Sequence, residues 1–464
     1  MKKEEVKEQI LEKVLLASRR QNTDMSTGYN RDYTLTVLFL RYIKDLVADK
    51  ENGFFEEKGL YQGLDLHEDF DFFELYKKRK EFGNIKRLDR AIKQLEKKNP
   101  DLDQVFEEIQ FSSLNFDKTE QVLEDLLESF GDKNITLKPS EIGGIEEVGE
   151  IYDYLLSNFA KGAGSSLEYA YTPPELSKLL TYLVKPQPGE KIYDPACGSG
   201  TLLVRAANYL LEKTGKKDWE LFGQESNPRS LRLARLNMFI NGIVRENYWL
   251  KLSEAFQDQN HKNSGRLQSF DVVISNLFRL SPPDDHKFLK NILNRLNPQS
   301  GRMAVIVRHG MLYRNKDEEF RKSIVEQNHL DAVISLPEKL LYESPVPISI
   351  LFFDNSKNDE RILFVDANHG YFKSRGHNLL VENNIDWIKE KIEKRQQSDS
   401  VNWVTFEELR KNSFNLMANR YLKEDTSSVD VDINELLNER IKIKNKLILI
   451  NDDAENIIDD LNNI

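Results

Sequence analysis

Past Pro139 the chain sets short, β-rich apolar runs among stretches of helical periodicity, and that alternation leaves few folds open. Lys191-Ile192-Tyr193, Glu220-Leu221-Phe222-Gly223, Phe270-Asp271-Val272-Val273-Ile274-Ser275 and Arg302-Met303-Ala304-Val305-Ile306-Val307 are too short for buried helices and are separated by helical stretches. Two further runs, Ala332 to Leu336 and Ile348 to Phe353, carry the pattern to about Asp354. Strands interleaved with helices in this way read as a parallel sheet covered by helices. The texture before Pro139 is different. Glu4 to Leu16 is amphipathic and Tyr33 to Ile43 reads as a buried helix, so a helical N-terminal domain is expected over residues 1–140. The sheet-bearing domain is then expected over 141–385 and a helical tail over 386–464. In the last stretch Ile433, Leu436, Arg440, Ile443, Leu447, Ile450, Ala454, Ile457, Leu461 and Ile464 follow one another at steps of three and four. With Arg440 as its one polar exception, that stripe is a coiled-coil seam suited to partner assembly.

Charge narrows the partners. With 66 Lys and Arg against 77 Asp and Glu, a net of -11, the chain is not built to coat nucleic acid with its whole surface. Tyr76 to Lys98 breaks that trend, holding ten Lys or Arg against three acids. Such a segment is either a solvated helix face or a contact for a nucleic-acid backbone. No run approaches the apolar length of a membrane span, and Met1-Lys2-Lys3-Glu4-Glu5 lacks the apolar core of a secretory leader, so a cytoplasmic protein is expected. Cys197 is the single cysteine and the seven His form no His-x-x-x-His pair, so neither a disulfide nor a metal site is expected.

One segment carries ligand-binding chemistry. Asp194-Pro195-Ala196-Cys197-Gly198-Ser199-Gly200-Thr201 follows the first strand and opens a helix. Glycines at 198 and 200 permit a sharp turn and close approach of backbone to a ligand, with the helix N-terminal amides pointing at it. The second strand runs into Gln224-Glu225, about 25 residues past the glycines, where a nucleoside-binding sheet places the carboxylate that accepts the ribose hydroxyls. A dinucleotide fingerprint is absent, because Leu203 stands where its third glycine belongs.

Taken in order, Tyr171-Thr172-Pro173, Asp194 to Gly200, Gln224-Glu225 and Phe270 to Asn276 resemble the motifs of amino-group DNA methyltransferases that use S-adenosylmethionine. The likeness is greatest to the modification subunit of type I restriction-modification systems. It runs through Leu38-Phe39-Leu40-Arg41-Tyr42, Ile151 to Leu156, Leu336-Pro337-Glu338, Arg361 to Ala367 and Asn419-Arg420-Tyr421. The resemblance implies a doubly wound α/β, Rossmann-like methyltransferase sheet with a helical N-terminal domain and a helical C-terminal tail. It implies adenine-N6 methylation of double-stranded DNA, with a DNA-specificity subunit, a second modification subunit and a restriction subunit as partners. By the same resemblance Tyr171, Thr172 and Pro173 flank the amino-acid end of the cofactor. Asp194, Pro195, Ala196, Gly198, Ser199, Gly200 and Thr201 wrap its methionine moiety, Glu225 holds the ribose, and Glu254 stands where the family commonly has an aspartate that bonds the adenine amine.

The catalytic loop departs from that pattern. The family's strand ends in Asn-Pro-Pro followed by an aromatic residue. The asparagine oxygen and the next carbonyl accept the two N–H bonds of the target amine, and the aromatic ring stacks on the flipped base. Here the loop reads Asn276-Leu277-Phe278-Arg279. Asn276 and the Leu277 carbonyl remain as acceptors, both prolines that would rigidify the loop are missing, and Arg279 occupies the aromatic position. Ser281-Pro282-Pro283 resembles the serine variant of the motif, but Asp284 follows it. Two functions stay open on this reading: a working methyltransferase with an unusual loop, and a scaffold that keeps the fold and cofactor without transferring methyl groups.

Overall fold

The computed structural model describes Glu12 and residues 27–422, except 56–60, 62, 63, 65, 67–70, 108, 114–118, 133–135, 164–170, 254–261, 264, 265, 268, 279–284, 343, 369 and 374–376. The expected helix from Glu4 to Leu16 and the seam from Ile433 to Ile464 therefore lie outside the described residues. Tyr33 to Ile43 is helical and buried as expected, within α1 (Thr27–Glu51). Two acids on α1 face inward and satisfy donors in the segment that leads into the helix Ile145–Ala163. Asp45 accepts the Leu137 N–H at 2.7 Å, and Asp49 accepts both the N–H and the hydroxyl of Ser140. Helices α2 (Asn84–Lys98), α3 (Thr119–Phe130) and α4 (Ile145–Ala163) complete the helical region. Their apolar faces share one core with Leu233, Leu236 and Phe239 of a helix from the sheet-bearing region, α7 (Pro228–Ile240). Arg232 of α7 pairs with buried Asp32 of α1 at 2.9 Å, and residues up to Tyr421 form one compact unit.

The remainder is a nine-stranded sheet. Its strands are β1 (Lys191–Asp194), β2 (Glu220–Glu225), β3 (Tyr248–Leu252), β4 (Val272–Asn276), β5 (Arg302–Arg308), β6 (Leu330–Ser335), β7 (Ile348–Asp354), β8 (Ile362–Asp366) and β9 (Val401–Val404). Their order across the sheet is β9-β8-β6-β7-β5-β4-β1-β2-β3. Helices α5 (Pro174–Val184) and α6 (Thr201–Thr214) pack against the central strands, and Leu176, Leu180, Leu203 and Ala207 join the sheet's buried core.

The sheet is mixed where a parallel one is expected. β7 runs antiparallel to both β5 and β6, and β9 runs antiparallel to β8. A parallel neighbour needs a crossover, usually a helix, and the connection from β6 to β7 contains no helix among its described residues, so the chain turns back beside β6. The sheet also continues past Asp354 through β8 and β9, and residue 385 falls inside α8 (Glu382–Lys394) rather than at an element boundary. Strand order reverses between β1 and β4, and ligands bind at such switch points, outside the carboxyl ends of the strands. Asp194, Glu225 and Asn276 stand at those ends.

Candidate functional site

β1 ends on Asp194, whose carboxylate organises the turn after it. Asp194 Oδ1 accepts the Ala196 N–H at 3.0 Å and the Ser275 hydroxyl at 2.8 Å, which ties the glycine turn to the end of β4. Its second oxygen is buried and, among the described residues, meets no hydrogen-bond donor. Burial pushes the carboxyl up to about 7, because ionising it leaves charge in a site with little solvent. A buried acceptor without a partner, at the mouth of a glycine turn, fits a cationic or N–H-bearing ligand group.

The turn needs its glycines for two separate reasons. Gly198 and Gly200 both have positive φ, 54° and 77°. A Cβ on Gly200 would also lie 3.2 Å from the Cβ of Ala234 on α7, so the turn is seated directly on that helix. Its outer edge is held by Glu225, whose Oε2 accepts the Gly198 N–H at 3.0 Å and whose Oε1 accepts the Asn227 N–H at 2.8 Å. Glu225 Oε2 keeps a second acceptor direction for a ribose hydroxyl, while Oε1 also receives the Ser226 hydroxyl at 3.4 Å, a long bond that a second ribose hydroxyl would replace. The Ser199 and Thr201 hydroxyls pair at 3.1 Å, and buried Asn237 donates to the Ser199 carbonyl at 3.0 Å. Cys197 lies beneath, packed toward Gly223, and burial raises its thiol well above the ordinary range, which suits a small core filler.

Thr172 and Pro173 meet the site at its other edge. Asn276 Nδ2 donates to Thr172 Oγ1 at 3.2 Å, which orients the amide and leaves Asn276 Oδ1 as the acceptor. That oxygen receives the Phe278 N–H at 3.1 Å. The Leu277 N–H donates to Ile306 O on β5 at 3.0 Å, and among the described residues no donor takes the Leu277 carbonyl. Phe278 is buried, with the Arg308 guanidinium 4.7 Å from its ring centroid, so its aromatic face is already covered. Tyr171 is also buried, and its hydroxyl donates to Asp153 Oδ1 at 2.7 Å. That bond ties the Thr172-Pro173 segment to α4, which carries Asp153. Burial raises Asp153 to about 6. Glu254 and Arg279 lie outside the described residues.

Sequence reasoning did not single out Ser275, Arg308 or Asp153 as members of this site. Ser275 was legible only as one more small residue in a strand, and Arg308 and Asp153 arrive from distant elements. Asp285, His286 and Asp317 also bring possible metal-ligand atoms within 4.8 Å of one another. Arg314 already bridges that cluster, pairing with Asp317 at 2.6 Å and Asp285 at 3.0 Å, so the carboxylates have their own counter-ion.

Sheet order and site together define the class as an α/β methyltransferase fold with a glycine turn after β1, an acid at the end of β2 and an asparagine at the end of β4. Residues 144–281 and 279–430, well over half of the chain, match the family model described as N-6 DNA Methylase, and the chain belongs to that family. The methylase subunit of the type I restriction enzyme MpnII from Mycoplasma pneumoniae is 28% identical over 402 residues, covering 77% of this chain and 73% of that one. The HindI methylase subunit from Haemophilus influenzae is 26% identical over 378 residues, covering 73% and 83%. Among solved structures, the methyltransferase subunit of a type I restriction-modification system from Streptococcus thermophilus superposes with a TM-score of 0.77 at 21% identity, covering 90% of this chain and all of that one. No helix among the described residues is long and apolar enough to cross a membrane.

Proposed function

We propose that this chain is the modification subunit of a type I restriction-modification complex, binding S-adenosylmethionine and methylating the N6 amine of an adenine flipped out of double-stranded DNA. The observation that carries the reading is the meeting of three motifs at the strand ends. Asp194 bonds Ser275, Glu225 bonds Gly198, and Asn276 bonds Thr172, which supports placing the proposed cofactor residues and the proposed catalytic asparagine in one site.

When bound, the cofactor supplies an electrophilic methyl group on a sulfonium sulfur. Asp194 Oδ2 would accept from its ammonium group and Glu225 from its ribose hydroxyls, and by the family's pattern Glu254 would accept from its adenine amine. The protein's part is to make a poor nucleophile usable, since the adenine amine has its lone pair delocalised into the ring. Asn276 Oδ1 and the Leu277 carbonyl accept its two N–H bonds, which favours a pyramidal nitrogen with an exposed lone pair. Thr172 keeps the asparagine oriented for this by holding Nδ2. We assign residues 1–140 to a helical domain, the sheet region to catalysis, and the C-terminal seam to assembly. The partners are a specificity subunit, a second modification subunit and a restriction subunit, in the cytoplasm.

A second reading, a scaffold that binds cofactor without transfer, is favoured by one observation: Phe278 occupies Asn276 Oδ1 with its N–H and buries its ring under Arg308. Transfer of labelled methyl groups to duplex DNA by the protein assembled with its specificity partner decides between them. Activity that Asn276→Ala abolishes is expected. No transfer by a folded, cofactor-binding complex would establish the scaffold.

A further inference from the structure

Helix α2 sorts its charges by face. Of its acids, Asp89 accepts the N–H groups of Phe111 and Ser112 at 2.7 and 3.0 Å, and Glu96 accepts that of Phe106 at 3.3 Å, so both turn inward toward neighbouring backbone. Ile85, Leu88, Ile92 and Leu95 fill the same side and join the core shared with α7. The opposite face presents Lys86, Arg90, Lys93 and Lys97, all exposed and, among the described residues, without an ion-pair partner. Steps of four, three and four align them in one row along about 16 Å of helix. Just before the helix begins, in the turn that leads into Lys86, stands Phe82, 92% exposed where, among the described residues, the next most exposed large apolar side chain is Phe372 at 60%. Gly83 bends the chain there at φ +86°, and a Cβ on it would meet nothing within 4 Å, so the turn projects into open space.

A solvated helix explains the cations but not an almost fully exposed phenylalanine at their head. We propose that α2 is a phosphate rail for duplex DNA and that Phe82 is an apolar wedge entering the groove beside it. Four cations over ~16 Å face about five phosphates of one strand along the same length of duplex axis. Proteins that place Phe, Leu or Met beside a cationic row use it to unstack a base step while the cations hold the backbone. A protein surface is the poorer match, since acid partners would leave the wedge without a role. The inference takes its partner from the methyltransferase reading above.

The test uses the full chain assembled with its specificity subunit and a labelled ~30-base-pair duplex, with anisotropy read over a series of KCl concentrations. Replacing Lys86, Arg90, Lys93 and Lys97 by Gln should make the slope of log affinity against log salt shallower by about 2 to 4 per subunit, at roughly 0.9 for each phosphate no longer neutralised. Phe82→Ser should weaken binding about 5- to 100-fold with the slope unchanged, and Phe82→Trp should retain it. Cofactor binding by each variant confirms its fold. A wild-type complex that binds DNA while the fourfold variant keeps the wild-type slope overturns the rail alone, and unaltered affinity in Phe82→Ser overturns the wedge. Loss of subunit assembly with an unchanged slope would make the face a protein contact and also overturn the proposal. A wild-type complex that fails to bind DNA overturns the methyltransferase reading together with the rail.

Discussion

Replacing Asp194 by Asn should stabilise the cofactor-free protein at alkaline pH and weaken cofactor binding in the same experiment. Burial moves this carboxyl up to about 7 from the ordinary ~3.9, which corresponds to about 4 kcal/mol. The folded state holds the proton more tightly than the unfolded one. The stabilising contribution is therefore complete below about pH 4, declines as pH rises, and is gone above about pH 7. Asn keeps the oxygen that accepts from Ala196 and Ser275 but puts an NH2 where Oδ2 has no partner, a penalty of about 1 to 3 kcal/mol for a buried unsatisfied donor. The net gain over wild type at about pH 8 is then about 1 to 3 kcal/mol, and it should reverse near pH 5, where wild type is protonated and keeps its bonds. Urea midpoints for both proteins, measured from about pH 5 to 8.5, read this as a difference in which other titrating groups cancel. Added S-adenosylmethionine should bind wild type more tightly as pH rises toward 7 and the variant more weakly and without that trend. A stability difference that stays constant from pH 5 to 8 would refute the uncompensated buried carboxylate. Equal cofactor affinity in the two proteins would refute its assignment to the ligand.

Glu225→Ala should weaken cofactor binding in calorimetry by about 1.5 to 3 kcal/mol per charged hydrogen bond, non-additively, and binding that is undiminished in a folded variant would remove Glu225 from the site. Deleting residues 430–464 should leave a folded protein that still binds cofactor but no longer co-purifies with its specificity partner. Normal assembly would show that the seam has another role. Restoring the loop by Leu277→Pro, Phe278→Pro and Arg279→Phe should accelerate methyl transfer by removing the N–H that occupies Asn276 Oδ1, while emptying the buried Phe278 site lowers stability by about 3 to 5 kcal/mol. A slower transfer by a variant shown to be folded would mean that the natural loop residues have their own part in the reaction.

The glycine turn and the carboxylate that braces it were legible because their chemistry is local. Positive φ at Gly198 and Gly200 and a carboxylate closing the next strand are demands that residue types announce directly. Strand direction is different. Ile348 to Phe353 reads as a buried strand, but an apolar run carries no sign of its direction, and only the connection before it makes β7 antiparallel. β9 stayed hidden because a four-residue strand after Gln396-Gln397-Ser398-Asp399-Ser400 offers too short a pattern to separate from a tail. The fate of Phe278 was illegible for another reason. One residue early in its motif, it could as well have faced the base, and what buries it is Arg308, thirty positions downstream at the end of β5.

The end of β4 explains how the glycine turn and the loop after Asn276 can diverge independently. Successive residues of a strand point to opposite faces, so Ser275 sends its hydroxyl to Asp194 while Asn276 sends its amide to Thr172. Beside the backbone pairing of β1 with β4, the glycine turn reaches β4 through the Ser275 hydroxyl, and the proposed acceptors of the target amine are Asn276 and the residue after it. The changes at Leu277 and Phe278 fall wholly on the second side. Each has a structural use there, Leu277 giving its N–H to Ile306 and Phe278 filling a buried site beneath Arg308, uses open to the family's prolines in neither case because proline has no N–H and too small a ring. Leu277 and Phe278 are thus held by a backbone hydrogen bond and a buried ring where the family uses ring constraint. Two differences from the family's loop then remain: Arg279 in place of the stacking ring, and one hydrogen bond from Phe278 to the oxygen proposed to hold the target amine, the bond being worth about 0.5 to 1.5 kcal/mol net. The bond is a handicap of roughly a factor of ten or less, too small by itself to silence the site, and Asn276 Oδ1 retains a second acceptor direction through which the amine can still be held.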